Sequence, residues 1–336
     1  MIAASCGGGD NNEAAPMELR LVTHDSFNVS EDVLDAFGEE TGITVRIVKS
    51  GDAGAALNQA ILTKNNPRGD VFFGVDNTFL TRALDEGLFL PYESPRLSAV
   101  ADAFALDDEH RVTPIDHGDV CINYDKEYFA ASGTAPPESF DDLAADALRG
   151  QLVVEHPATS SPGLAFLLGT IAHFGEDGWK DYWRRLREND VEVASGWEEA
   201  YYQSFSGGAG EGTRPLVVSY ASSPPAEVVF AEPQPDEAPT GVVTATCFEQ
   251  IEFAGILDGT EHEEEAQQLI DFMLSVEFQE DMPLQMFVFP VVDDAELPAV
   301  FAEHAATVDD PLRLPASEIG RNRDEWIDEW TAIVLP

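Results

Sequence analysis

From Glu18 onward, short apolar runs alternate with amphipathic stretches, and this alternation restricts the chain to a few architectures. Residues 19–23 read as a strand and 30–37 as a helix, with Ser30 at its cap and acidic residues behind it. Residues 44–48 and 70–75 continue the strands, and 53–64 and 78–86 the helices. Strand–helix–strand units joined by short links imply a parallel sheet covered by helices, an α/β fold. Residues 92–111 have no clear period and read as a surface excursion. After a strand at 120–124, a second set begins, with strands at 152–154, 215–219 and 250–254. Its helices fall at 139–148, 162–173, 178–188, 197–205 and within 263–280. In a last helix, 316–333, Ile319, Trp326 and Trp330 share a face that Arg323 interrupts, and the two indoles read as core anchors. A chain of 336 residues exceeds what one core usually spans, so two lobes are expected.

Charge excludes one class of partner. Sixty-three acidic residues face 18 basic ones, for a net charge of −45. A nucleic-acid surface demands Lys and Arg that are absent here. The acidity is spread from end to end, so it reads as solubility and does not identify a cargo. No run of eighteen apolar residues exists to span a membrane as a helix. Catalytic signatures are missing too: there is no Gly-x-Ser-x-Gly, His-Glu-x-x-His or Cys-x-x-Cys. His262 among Glu261, Glu263, Glu264 and Glu265 reads as a solvated helix start, and the glycine-rich 207–212 as a loop. With seven His among so many acids, adjacencies such as Asp116-His117 arise by chance. No enzyme activity, metal or cofactor is expected.

What recurs is polar or small residues just after strands. His24, Asp25 and Ser26 follow the first strand, Ser50-Gly51-Asp52 the second, and Asp76-Asn77 the third. In the second half, Ser160-Ser161-Pro162 opens a helix and Tyr220-Ala221-Ser222-Ser223 follows a strand. Helix capping explains each site singly. It does not explain five such sites sharing the strands' carboxyl ends, where open α/β sheets bind ligands.

At the N-terminus, Ala3-Ala4-Ser5-Cys6 followed by a Gly-rich polar run resembles the processing box and tether of a bacterial lipoprotein. Cys6 is then the expected lipid-attachment residue. Cys121 and Cys247 remain, both in strand-like runs, and read equally as buried thiols or as a disulfide.

Several segments carry a family resemblance in order. They are Val22-Thr23-His24-Asp25-Ser26-Phe27, the run from Gly69 to Asn77, and Thr159-Ser160-Ser161-Pro162-Gly163. Gly196-Trp197-Glu198-Glu199-Ala200-Tyr201, Ser219-Tyr220-Ala221-Ser222-Ser223-Pro224 and Phe289-Pro290-Val291 continue the series. Together they resemble the thiamine-binding proteins of ABC importers. The resemblance implies a type 2 periplasmic-binding fold with a ligand cleft between two α/β lobes. Residues 1–17 would be the tether, 18–117 with about 252–336 the first lobe, and 118–251 the second. By motif position it places ligand contacts at Asp25, Ser26, Asp52, Ser160, Ser161, Trp197 and Tyr220, and His24, Asp76, Asn77, Asp116 and Phe287 are expected beside them. His24, Ala226 and Phe287 stand where the family carries larger or phenolic aromatics. Because crossing strands run side by side in this fold, the resemblance favours a Cys121–Cys247 disulfide. It further implies a monomer outside the cytoplasm, lipid-anchored, that binds thiamine or its phosphates and delivers it to ABC permease subunits.

Three other readings stay open. Tyr201-Tyr202 is similar to the tandem tyrosines of ferric-iron binders, although its motif position points to helix packing. The carboxylates would suit a polyamine. A secreted enzyme acting on a thiamine-like heterocycle would need a cleft Cys beside a base.

Overall fold

The computed structural model describes residues 17–335, so the expected Cys6 anchor lies outside the described residues. The first half contributes β1 (Met17–Thr23), α1 (Glu31–Thr41), β2 (Ile43–Lys49), α2 (Ala53–Leu62), β3 (Val71–Asp76), α3 (Leu80–Asp85) and β4 (Phe89–Leu90). A long strand, β5 (Thr113–Asp125), leads to α4 (Lys126–Ser132), α5 (Phe140–Leu143), β6 (Leu152–Glu155), α6 (Ser161–Glu188) and β7 (Glu192–Ala194). Then come β8 (Leu216–Tyr220), α7 (Pro224–Val229) and a second long strand, β9 (Thr240–Leu257). The chain ends with α8 (Glu263–Met273), α9 (Val276–Gln285), β10 (Phe289–Pro290), α10 (Ala299–His304) and α11 (Ala316–Val334).

The strands form one ten-stranded sheet in the order β2-β1-β3-β9-β5-β8-β6-β7, with β4 on β9 and β10 on β5. The expected parallel units are present in each half: β1 pairs with β2 and β3, and β6 with β7 and β8. Between them lie β9 and β5, antiparallel to each other and to their outer neighbours. β3, parallel to β1 on one side and antiparallel to β9 on the other, is buried along its whole length.

β5 and β9 differ most from expectation, at 13 and 18 residues against the short runs read from sequence. Typical strands have about 5–6 residues. The first part of β5 holds Pro114, Asp116, His117, Gly118 and Asp119, residues that ordinarily mark turns. Flanking strands on both sides hold them extended. The 92–111 excursion is largely irregular, with short 3-10 turns at Pro95–Ala99 and Asp102–Phe104. The helices expected at 162–173 and 178–188 run on as α6, broken only at Gly175. The stretch 139–148 shortens to α5 plus a 3-10 turn, and 197–205 to a π-helical turn over Glu199–Ser204.

The last helix, α11, touches both halves. Trp330 is fully buried with its ring 5.4 Å from Trp183 of α6, while Gly320 lies against Thr81 of α3. Arg323, which interrupts the apolar face, is itself buried with its guanidinium 5.7 Å from the Phe79 ring. Its charge is tolerated there through cation–π attraction and a bond to Asp324.

The ladder of β5 on β9 shifts register between Val120↔Phe248 and Ile122↔Val243, leaving extra β9 residues opposite Cys121. This bulge brings Cys247 against Cys121, and the two sulfurs are bonded. Thr246 Oγ1 accepts the Ile122 N–H at 3.0 Å, filling the gap in the ladder. Removing the bond as Cys121→Ala/Cys247→Ala should destabilise the chain by about 2–4 kcal/mol. Denaturant unfolding would read that loss, and mass spectrometry of the unreduced protein showing two free thiols would rule the bridge out.

Candidate functional site

The turns after β1 and β2, with residues 285–288 at the end of α9, face the starts of α6 and α7 and the π-helical turn across a cavity of about 480 Å³. Ligand pockets commonly measure about 300–1,000 Å³. Contacts between the two halves close one side of it. Asp52 caps α2 through Oδ1, which accepts the Ala53 N–H at 2.6 Å, and its Oδ2 accepts the Trp197 N–H at 2.8 Å. Gly196 is needed beside it, because a Cβ there would stand 2.7 Å from that Oδ2. The Ala55 N–H donates to the Thr159 carbonyl at 3.1 Å, and Gly54 leaves no room for a side chain against the Thr159 backbone. Ser161 Oγ donates to Asp76 from the opposite half.

The aromatic wall belongs to the second half. The Trp197 ring stacks on Tyr201 at 4.9 Å, and its Nε1 donates to Ser219 Oγ at 2.9 Å. Tyr202 meets both rings edge-on. The Tyr201 hydroxyl donates to Glu227 at 2.6 Å, and burial and Glu227 together push that phenol well above its usual range. Opposite, Phe287 adopts φ 54°, left-handed backbone that bulky residues avoid, and its ring lies 5.4 Å from Phe230. Strain of this kind persists where surrounding structure imposes it, often at binding sites.

At and beneath the floor, three carboxyl groups lie in one row across adjacent strands, Glu252 reaching the cavity and Asp76 and Asp116 lying below it. Glu252 of β9 registers with Asp76 of β3 on one side and Asp116 of β5 on the other. Glu252 also lies 3.3 Å from His24 Nε2. Burial would lower the His24 pKa, but Glu252, with Asp52 and Asp25, raises it overall. Burial lifts Asp76 to about 6 against the hydrogen bonds from Ser161 and Thr78. Asp116 is fully buried, and neither of its oxygens has a hydrogen-bond partner among the described residues. Burial first, then Glu252 and Asp76, push its carboxyl well above the usual carboxylate range.

Of the residues expected from sequence, His24, Asp25, Ser26, Asp52, Ser161, Trp197, Tyr220 and Phe287 line this cavity. The other four do not reach its wall. Asp76 and Asp116 support the floor from below. Ser160 is buried as the cap of α6, where its Oγ accepts from Gly163. Asn77 extends the edge of β9 instead: its amide donates to the Glu249 carbonyl and accepts the Ile251 N–H, both at 3.0 Å. Sequence reasoning missed Glu252, Glu198, Glu227 and Phe230, which lie on the wall. Tyr201 and Tyr202, expected as helix packing, line it as well. Glu252 sits inside a strand-like run, and only its register beside Asp76 and Asp116 reveals it.

The profile of the bacterial extracellular solute-binding proteins matches residues 66–308. The chain belongs to that family. It is 28% identical to a thiamine-binding periplasmic protein of Escherichia coli over 94% of this chain and 93% of the relative. Its identity to one of Brucella melitensis is 29%, over 94% of this chain and 91% of that one. Among solved structures, a periplasmic thiamin binding protein superposes with a TM-score of 0.84 at 27% identity, covering 95% of this chain and 96% of that one. A periplasmic binding protein from Actinobacillus pleuropneumoniae with bound fructose-6-phosphate gives 0.77 at 20% identity, over 95% and 99% of the two chains, a likeness of fold alone. The two-lobed α/β fold expected from sequence is therefore the fold of this chain.

A carboxyl whose folded pKa is raised stabilises the fold fully below its unfolded value, about 4, and that contribution is lost as pH rises through the folded value. Stability should therefore decline from acid to neutral pH as Asp76 and Asp116 lose their advantage. Asp116→Asn, which keeps the shape without a titrating proton, should raise the melting temperature at pH 7.5 by roughly 2 °C or more. At pH 4.5 it should change little. Equal destabilisation at both values would contradict the buried-proton account.

Proposed function

We propose that this protein is the extracytoplasmic binding component of an ABC importer and that its cargo is thiamine or a close thiamine derivative. The observation that carries this reading is the cavity: a stacked Trp197–Tyr201 wall beside Glu198, Glu227, Glu252 and Asp25, in a chain similar over nearly its whole length to thiamine-binding proteins. A flat aminopyrimidine suits the aromatic faces. A positively charged thiazolium suits those faces and the carboxylates, with cation–π attraction of about 0.5–2 kcal/mol per contact. His24, Asp25, Ser26, Asp52, Ser161, Trp197, Tyr220 and Phe287 are the proposed contacts, with Glu252, Glu227 and Phe230 added to them.

The lobes are taken as 18–117 with the chain from about 252, and 118–251, hinged on β5 and β9. α11 straddles both. Closure about that hinge brings Asp52 to the Trp197 N–H and Asp76 to Ser161, so the same bonds report the closed state. Binding proceeds without bond making or breaking, and the closed monomer docks on permease subunits in the membrane. The Cys121–Cys247 bridge suits an oxidising compartment outside the cytoplasm. A lipid anchor at Cys6 completes this reading.

Ferric iron is the second reading, favoured by Tyr201 and Tyr202 on the wall. The Tyr201 hydroxyl is already committed to Glu227, with its ring packed between Trp197 and Tyr202, so binding iron would break that contact. Ferric ion should therefore give no charge-transfer colour.

Calorimetry with thiamine decides between them. Thiamine at 100 times its dissociation constant should add about 2.7 kcal/mol of stability, visible as a higher melting temperature. Trp197→Ala and Asp52→Ala should each weaken binding by about tenfold or more. Unchanged affinity in both would show that the ligand sits elsewhere.

A further inference from the structure

A phosphate group on the cargo would need donors and positive charge; the cavity has neutral donors such as the Ser26, Tyr202 and Tyr220 hydroxyls, but little positive charge and few free helix N–H groups. Free N–H groups at a helix start are the backbone's ordinary means of holding phosphate. At α2 that place is taken by the Asp52 carboxylate, which accepts from Ala53, while Ala55 donates to Thr159. At α6 the Gly163 N–H is directed to Ser160 Oγ, Pro162 has no N–H, and Ser161 Oγ donates to Asp76. α7 begins with Pro224 and Pro225, and Ser223 Oγ in front of it accepts the Tyr220 N–H at 3.1 Å.

Charge points the same way. Five acidic residues line the cavity (Asp25, Asp52, Glu198, Glu227 and Glu252) against Lys49 and His24, with no Arg among the described lining residues. Burial would lower the His24 pKa, but Glu252, Asp52 and Asp25 raise it overall. Lys49 is exposed, and its Nζ donates to the Asp25 carbonyl at 2.7 Å.

We infer that the cavity selects an unphosphorylated organic cation and rejects its phosphate esters. The carboxylate wall supplies the selection, and helix starts that are capped or closed by proline remove the alternative. The inference rests on the thiamine reading and narrows it to the free alcohol. A phosphate monoester carries about −1.5 to −2 charges at neutral pH, which this wall repels.

The test is calorimetry of the full chain with thiamine, thiamine monophosphate and thiamine diphosphate at pH 7.5 and low salt. Affinity should fall by about tenfold or more on adding the first phosphate, and again with the second. Glu198→Lys, which reverses one exposed charge at the wall, should narrow the gap between thiamine and its monophosphate by roughly threefold. Monophosphate binding as tightly as thiamine overturns the inference and leaves the thiamine reading standing. Failure of all three compounds to bind overturns both. A gap unmoved by Glu198→Lys overturns selection by charge.

Discussion

The antiparallel pairing of β5 with β9 is the constraint on which everything else rests. Each half has its own parallel strands and its own helices, and the sheet is continuous only because these two strands lie between them. Their ladder is long, bulged, and tied across by Cys121–Cys247. A segment near the C-terminus reinforces the same place: the Leu312 N–H donates to the Cys247 carbonyl, and the Glu249 N–H donates to the Leu312 carbonyl. Two crossing strands held this firmly fix the place where the two halves join.

That arrangement explains why carboxyl groups are buried under the cavity. Strand crossing puts Asp76, Glu252 and Asp116 side by side in a sheet interior, where ionised groups are poorly solvated. Protons, the Ser161 hydroxyl and the His24 imidazole offset the cost only in part. A cavity floored this way presents negative potential to whatever enters, with Tyr220 and Trp197 as apolar faces beside it. Binding strength in such a site comes from fit and complementary charge together, since neither face alone fixes orientation.

Much of the fold was legible in the sequence because its cues are local. Period-2 and period-3.6 patterns marked β1, β2, β3, α2 and α11 close to their observed ends. Polar residues after those strands marked most of the cavity wall. The illegible parts obey long-range demands. β5 reads as turn-like at Pro114–Asp119 because the strands that hold it extended lie far away in sequence. Arg323 looks like a flaw in an apolar stripe until Phe79 is brought over it. Asn77 looks like a ligand contact, and only the open edge of β9 shows that its amide completes a ladder.

The sequence alone determined the alternating α/β plan, the family resemblance and the chemistry gathered at the strand ends, because these depend on residues near one another in the chain. Tertiary structure alone decided which of those polar groups face a shared space and which are spent on caps, ladders and cross-cleft bonds. It also decided that Glu252, Glu227 and Phe230 join them. Such outcomes depend on strand register and on the meeting of two halves, and no local pattern encodes either.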